Sequence, residues 1–173
     1  MINKKLAMFT RTTGTISFLL LTIFVTFGCQ KQAASPLETL QKTKQCPGCD
    51  LSAAKLSNLD LTSANLNGAK LEGAVLEKIK LNEALLDSVN LKGANLKAAS
   101  MEKAGLFGAD LTNADLSNAN LKGAFLRGAK LNNANLSNAD LSETDLNSAD
   151  LTGANLKGAN LKGAIMPDGT IKN

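Results

Sequence analysis

The chain has 173 residues, with 19 Lys and Arg against 15 Asp and Glu, six Phe and no His, Trp or Tyr. That length allows one modest domain behind an export segment, and the residue types exclude a core built on aromatics. Lys4, Lys5 and Arg11 belong to the N-terminal leader, so residues 29–173 balance 16 basic against 15 acidic groups with the signs interleaved; this argues against a nucleic-acid partner, which needs a one-signed stripe.

The opening "MINKKLAMFTRTTGTISFLLLTIFVTFGCQ" sets a basic front before an apolar run, Ile16 to Phe27. Twelve residues are too few to span a bilayer, which takes a helix of about 20. They suit the hydrophobic region of a secretory signal, residues 1–28, and predict an exported, periplasmic or lumenal protein. The run ends in "VTFGC", similar to a bacterial lipoprotein processing site, which makes Cys29 the first retained residue and the lipidation site. That anchor would hold the protein on a membrane. Thr26 stands where such sites usually carry Leu, Val or Ile, and the alternative is an ordinary or uncleaved signal with an incidental cysteine.

Residues 29–45 read as a linker and a short capping helix. Ser35, Pro36 and Glu38 fit the N-cap, first and third positions of a helix, a capping box with proline at its favoured place. Leu37 and Leu40 share one face of it. Such a helix cannot stand alone, so its expected task is to cover the first open turn of the fold on its C-terminal side.

From Leu51 to Leu161 every fifth residue is Leu, with Met101 the single exception. Two residues before each, from Cys49 to Ala164, 19 of 24 positions are Ala. A period of five is neither helical nor that of a simple strand, and a fixed self-similar period signals stacked repeats. Two residues after each Leu, nine of 23 positions are Gly and five are Asn, residues that accept the positive φ of a type II turn. Each unit is therefore one short extended piece and one corner, coiling around Leu and Ala.

Charge sets the number of units per coil, because facing residues on adjacent strands avoid like signs. At a separation of 20 residues, eight charged pairs are opposite and none is like: Asp50–Lys70, Asp60–Lys80, Glu72–Lys92, Glu77–Lys97, Glu83–Lys103, Glu102–Lys122, Asp110–Lys130 and Lys130–Asp150. Separations of 15 and 25 give mixed pairs. Four units thus make one coil.

The "A(D/N)Lxx" units, as in "ADLTNADLSNANL", resemble the pentapeptide-repeat family over about residues 49–166. The flanks "TKQCPGCDL" and "AIMPDGTIKN" resemble those of cyanobacterial members. The resemblance implies an all-β fold, a right-handed quadrilateral β-helix with Leu and Ala inside and type II turns at the corners. Six coils over residues 46–166 would make a rod of about 29 Å at ~4.8 Å per layer. Residues 167–173 complete the chain as a turn, at "PDG", and a cap.

Three features are candidate sites. Cys46 and Cys49, in "CPGC", are candidates for a disulfide fastening the first coil or for a redox dithiol; three Cys and no His do not make a structural zinc site. Leu85, Phe107 and Phe125 fall outward on one face, with Val75 on the adjoining one, a candidate contact patch as against scattered exposure or cover from the N-terminal segment. Rows of Asn (Asn95, Asn135, Asn155) suit bonding to corners or water rather than to a ligand. No convergent carboxylates, phosphate loop, metal set or cofactor motif emerges, so the expected protein is no enzyme. The expected function is a structural or protein-interaction rod, its partner and oligomeric state unspecified. The alternatives are a DNA mimic acting on a topoisomerase, which needs a dominantly negative surface, and a CxxC redox protein.

Overall fold

The structure, a computed structural model, describes residues 34–173. Its one helix among the described residues, α1, spans Pro36–Thr43. The capping box is formed: Glu38 N–H donates to Ser35 Oγ at 3.2 Å, and Ser35 N–H donates to Glu38 Oε2 at 3.2 Å. Lys44, in the left-handed region with φ 56°, ends the helix and donates its N–H to the Leu40 carbonyl. Leu40 is fully buried in the core and Leu37 packs against it. The Lys44 ammonium reaches the Thr62 carbonyl at 3.1 Å, fastening the end of α1 to the repeat.

After α1 the chain turns at every fifth residue. Parallel pairing joins residues 20 apart, from Gln45–Asn65 and Asp50–Lys70 through to Asp145–Ile165. Four units thus return the chain onto itself, as the charge pattern predicts. Each side has only one residue in a pairing bridge because its neighbours are already committed to corners. Long strands therefore never form, although most of the backbone N–H groups of the inner coils are bonded. Around Leu106, for example, Leu106 N–H donates to Phe125 O at 2.8 Å, Gly108 N–H to Arg127 O at 3.0 Å, and Phe125 N–H to Ala104 O at 2.9 Å. The corner closes through Ala109 N–H to Leu106 O at 3.1 Å. Three bonds between coils and one within the turn recur through the inner units, meeting the demand that buried backbone groups be paired.

All 23 predicted corner positions, from Ala53 to Gly163, have positive φ. Leu and Ala line the interior, and those from Ala64 to Leu146 are buried. Met101 is buried in the Leu register without disturbing it. Thr144, in an Ala position, is also buried; its hydroxyl donates to the Leu141 carbonyl at 2.7 Å, so no polar atom is left unpaired there. At the C-terminal end Leu151, Leu156 and Leu161 are half-buried. The predicted turn places Gly169 at φ 83°, and Ile171 pairs antiparallel with Ile165.

The charge pairs need a correction. All eight stand one coil apart, but among them only Lys70–Asp50 (3.9 Å) and Lys80–Asp60 (3.7 Å) close to ion-pair distance. Elsewhere lysine and arginine reach diagonally: Lys122 to Glu143 at 3.6 Å, Arg127 to Asp145 at 3.0 Å and Lys44 to Asp60 at 3.9 Å. The aspartates are held by their own corners, and long flexible stems do the reaching. The ladder prevents like-charge contact between coils more than it binds them.

Candidate functional site

The cysteines come together at the start of the repeat. Cys46 occupies the register of the leucines, five residues before Leu51, and is buried; Cys49 takes an alanine position and is half-buried. They form a disulfide with Cα atoms 5.4 Å apart. Among the described residues no group of His, Cys, Asp or Glu is placed to hold a metal ion. The bridge closes a loop of sequence separation 3, so its removal should cost about 2 kcal/mol by loop-closure entropy. The melting temperature of the protein is expected to fall by a few degrees in reductant, with the coil retained by circular dichroism; an unchanged melting temperature would show the bridge to be structurally idle. Cys29 lies outside the described residues, as does the leader.

The aspartates are engaged in hydrogen bonds of the repeat. An Asp or Asn beside the leucine accepts the N–H two residues on, as in Thr112 N–H to Asp110 Oδ1 (3.0 Å) and Ser117 N–H to Asp115 Oδ1 (2.9 Å). Asn95, Asn135 and Asn155 make the same corner bond, as expected, and Asn155 and Asn135 also donate down a ladder to Asn135 and Asp115. Hydrogen bonds from the following hydroxyl residue lower the carboxyl pKa of Asp50, Asp60, Asp140 and Asp168. At Asp110 burial is the largest influence and pushes upward, but the Thr112 bonds with Lys130 and Lys92 outweigh it. Asp150 is pulled to about 2 by the Thr152 hydroxyl, the Asn132 amide and the Thr152 N–H.

These groups are more acidic folded than unfolded, so the stability they contribute is present above 3.8, the ordinary value, and is lost as pH falls through the folded values. The melting temperature is expected to hold between neutral pH and about pH 5 and to decline from about pH 4 toward 2. Asp150→Asn, which retains an acceptor for the Thr152 N–H, should make that decline shallower. Calorimetry across this range checks both, and a melting temperature that rises on acidification would contradict the assignment.

The apolar patch is exposed. Leu85 is 46% accessible, and Phe107 and Phe125 are each 56%. Pairing stacks Asn65, Leu85, Gly105, Phe125, Asp145 and Ile165 in one column, and Phe107 lies two residues beyond Gly105 on the same side. Val75 is half-buried on another side, in the Lys55–Val75–Asn95 column. The side with the phenylalanines differs from the other three in charge as well. Between Cys46 and Asp168 the repeat has eleven Lys and five Glu, and every one lies on the other sides. Here the charged residues are Asp87, Arg127, Asp145 and Asp168. Arg127 is paired to Asp145, whose side chain is only 19% accessible.

Two members of this surface were missed in the sequence. Gly105 is the one glycine of the repeat whose φ is not positive, so no corner requires it. It leaves the space between Leu85 and Phe125 without a side chain. Asp87, half-buried one coil before Phe107, accepts the Phe107 N–H through Oδ1 at 3.0 Å. Gly105 cannot serve its own corner as an Asp or Asn would, and Asp87 substitutes from the neighbouring coil. The readable signal was a glycine off the five-residue beat.

Comparisons with known proteins agree with the repeat. The family model described as Pentapeptide repeats matches in eight copies, over residues 46–82, 64–102, 76–113, 109–147 and 129–166. A search of curated proteins finds no match. Among solved structures, the chain is similar to HetL of the cyanobacterium Nostoc sp. strain PCC 7120, a pentapeptide repeat protein involved in heterocyst differentiation regulation, at 27% identity over 79% of this chain and 97% of that one, with a TM-score of 0.30. It is also similar to Rfr23 of the cyanobacterium Cyanothece 51142, at 26% identity over 72% and 92% of the two chains, TM-score 0.29. A pentapeptide repeat protein of the Arabidopsis thaliana thylakoid lumen is 26% identical over 77% and 74%, TM-score 0.28.

Proposed function

The chain belongs to the pentapeptide-repeat family, whose members fold as right-handed quadrilateral β-helices and are generally non-catalytic modules, and on that premise we propose that it is an exported, lipid-anchored rod that docks a partner protein. The rod comprises about six coils over residues 46–166, covered at its first coil by α1 and along the final stretch of its last by residues 167–173. The signal is residues 1–28, the anchor is Cys29, and residues 29–45 join it to the rod. This places the protein on the periplasmic or lumenal face of a membrane.

One observation carries the docking role: the side with Leu85, Phe107 and Phe125 is the side that has no Lys and no Glu. Aromatic residues and Arg are enriched in protein interfaces, whereas Lys and Glu are depleted. Immobilising long charged side chains costs rotamer entropy on binding, and a side without them avoids that cost. A DNA-mimic role has no comparable support, because lysines alternate with acids on the other three sides.

The docking role is tested by crosslinking in the native organism with the wild type and with Phe107→Ser/Phe125→Ser. Both rings are more exposed than covered, so the double variant should keep its stability within about 0.5 kcal/mol per site while losing its specific crosslinks. An unchanged crosslinking pattern would remove the docking side from consideration. Anchoring is tested separately: palmitate labelling is expected in the wild type and absent in Cys29→Ala.

A further inference from the structure

We propose that the notch at Gly105 receives a basic side chain, arginine above all, from the docked partner. This rests on the reading of the phenylalanine side as a docking surface and names the chemistry recognised there. The notch is defined by the column Leu85–Gly105–Phe125, in which the middle residue has no side chain. Coils are about 4.8 Å apart, so Leu85 and Phe125 stand two layers apart, and the residue paired between them contributes no side chain, with the Asp87 carboxylate bordering the space. Phe107, on the same side, supplies a second exposed ring.

At this notch lies a carboxylate. A Cβ built on Gly105 would come within 3.3 Å of Asp87 Oδ1, which places that oxygen beside the empty position. Asp87 is half-buried, and among the described residues no Lys or Arg pairs with it. The nearby cation on this side, Arg127, is committed to Asp145 at 3.0 Å. Oδ1 accepts the Phe107 N–H, and Oδ2 has no hydrogen-bond partner among the described residues. Apolar walls with an unpaired anion beside them suit a group that is apolar along its stem and positive at its head. A guanidinium fits best, since it also stacks on aromatic rings. An acidic or purely aliphatic side chain would leave Asp87 repelled or unanswered.

The test titrates isotope-labelled protein with the capped tripeptides Ala-Arg-Ala, Ala-citrulline-Ala and Ala-Leu-Ala, reading backbone amide shifts. The arginine peptide is expected to give saturable shifts at Leu85, Gly105, Phe107 and Phe125. Loss of its charge, as in citrulline, should weaken binding about 1.5- to fivefold, the range of an exposed charge pair. Asp87→Asn keeps the acceptor for the Phe107 N–H but removes the charge, and should weaken the arginine peptide by the same factor. Gly105→Val should abolish the shifts by filling the notch, with the melting temperature confirming the fold. Equal binding of the leucine or citrulline peptide would overturn the inference while leaving the docking side standing. No saturable shift at these residues, or no effect of Asp87→Asn, would overturn it as well, and the crosslinking experiment would then judge the docking side alone. Shifts at the same residues that grow with protein concentration and no peptide would assign the notch to a second copy of the chain and overturn the basic-partner assignment.

Discussion

Replacing Leu106 by alanine is expected to destabilise the protein by about 2–5 kcal/mol, the range for a buried leucine whose cavity cannot collapse. Leu106 is completely buried, with Leu86 and Leu126 in the same register one coil to either side. Its backbone is held to the neighbouring coil through Phe125 O and closes its corner through Ala109 N–H. The walls are pinned every five residues, so they cannot move inward to fill the void. Against a total stability of about 5–15 kcal/mol for a typical domain, this one change should shift the urea midpoint substantially. Leu156→Ala is the internal control. Leu156 is only half-buried near the C-terminal end, and stacked repeats contact only their neighbours, so its loss should be clearly smaller. Equal effects at the two positions would mean that packing inside the coil does not depend on depth from its ends.

A comparable loss is expected at a corner, by a different mechanism. Gly93 sits at φ 64°, and a Cβ added there would meet nothing within 4 Å. The Cβ of a valine at this position therefore meets no neighbour, and the penalty expected is chiefly conformational. Holding an L-residue in the left-handed region costs roughly 1–2 kcal/mol, and branching at Cβ makes it worse, so Gly93→Val should lose about 2 kcal/mol or more. Gly105→Ala is the contrast: φ lies outside that region, and the new Cβ meets the end of the Asp87 side chain at 3.3 Å. A loss well under 1 kcal/mol is expected there. Unfolding curves of the two variants, compared with wild type, decide the matter. If Gly93→Val is tolerated as well as Gly105→Ala, the corners do not depend on their left-handed residue.

The corners also show how far sequence reading reaches. Fourteen of the 23 corner positions hold residues other than glycine, including Lys78, Glu83 and Lys103, yet all have positive φ. A residue-by-residue reading would not place a turn at those positions. The five-residue beat does, because the neighbouring units impose the same path on every corner. α1 was equally legible: Ser35, Pro36 and Glu38 carry its start in four residues, and the structure forms both bonds of the capping box.

The site was less legible. The outward register of Leu85, Phe107 and Phe125 comes from the period, and their exposure agrees with it. Their surroundings do not come from it. Arg127 pairs with Asp145 across 18 residues, Lys122 with Glu143 across 21, and Asp87 bonds Phe107 N–H across 20. The period names the neighbours but not which of several adjacent partners a long side chain selects.

Sequence alone is enough for the period, the leucine and alanine interior, the corners and the four-unit coil. Each is a local constraint repeated many times, so a few exceptions such as Met101 and Thr144 cannot break it. Three outcomes needed the folded coils: which ions pair, that Gly105 leaves an opening rather than serving a corner, and that Asp87 lies at that opening. They depend on side-chain reach between coils and on competition for corner N–H groups. They are settled where chain segments about 20 residues apart come into contact.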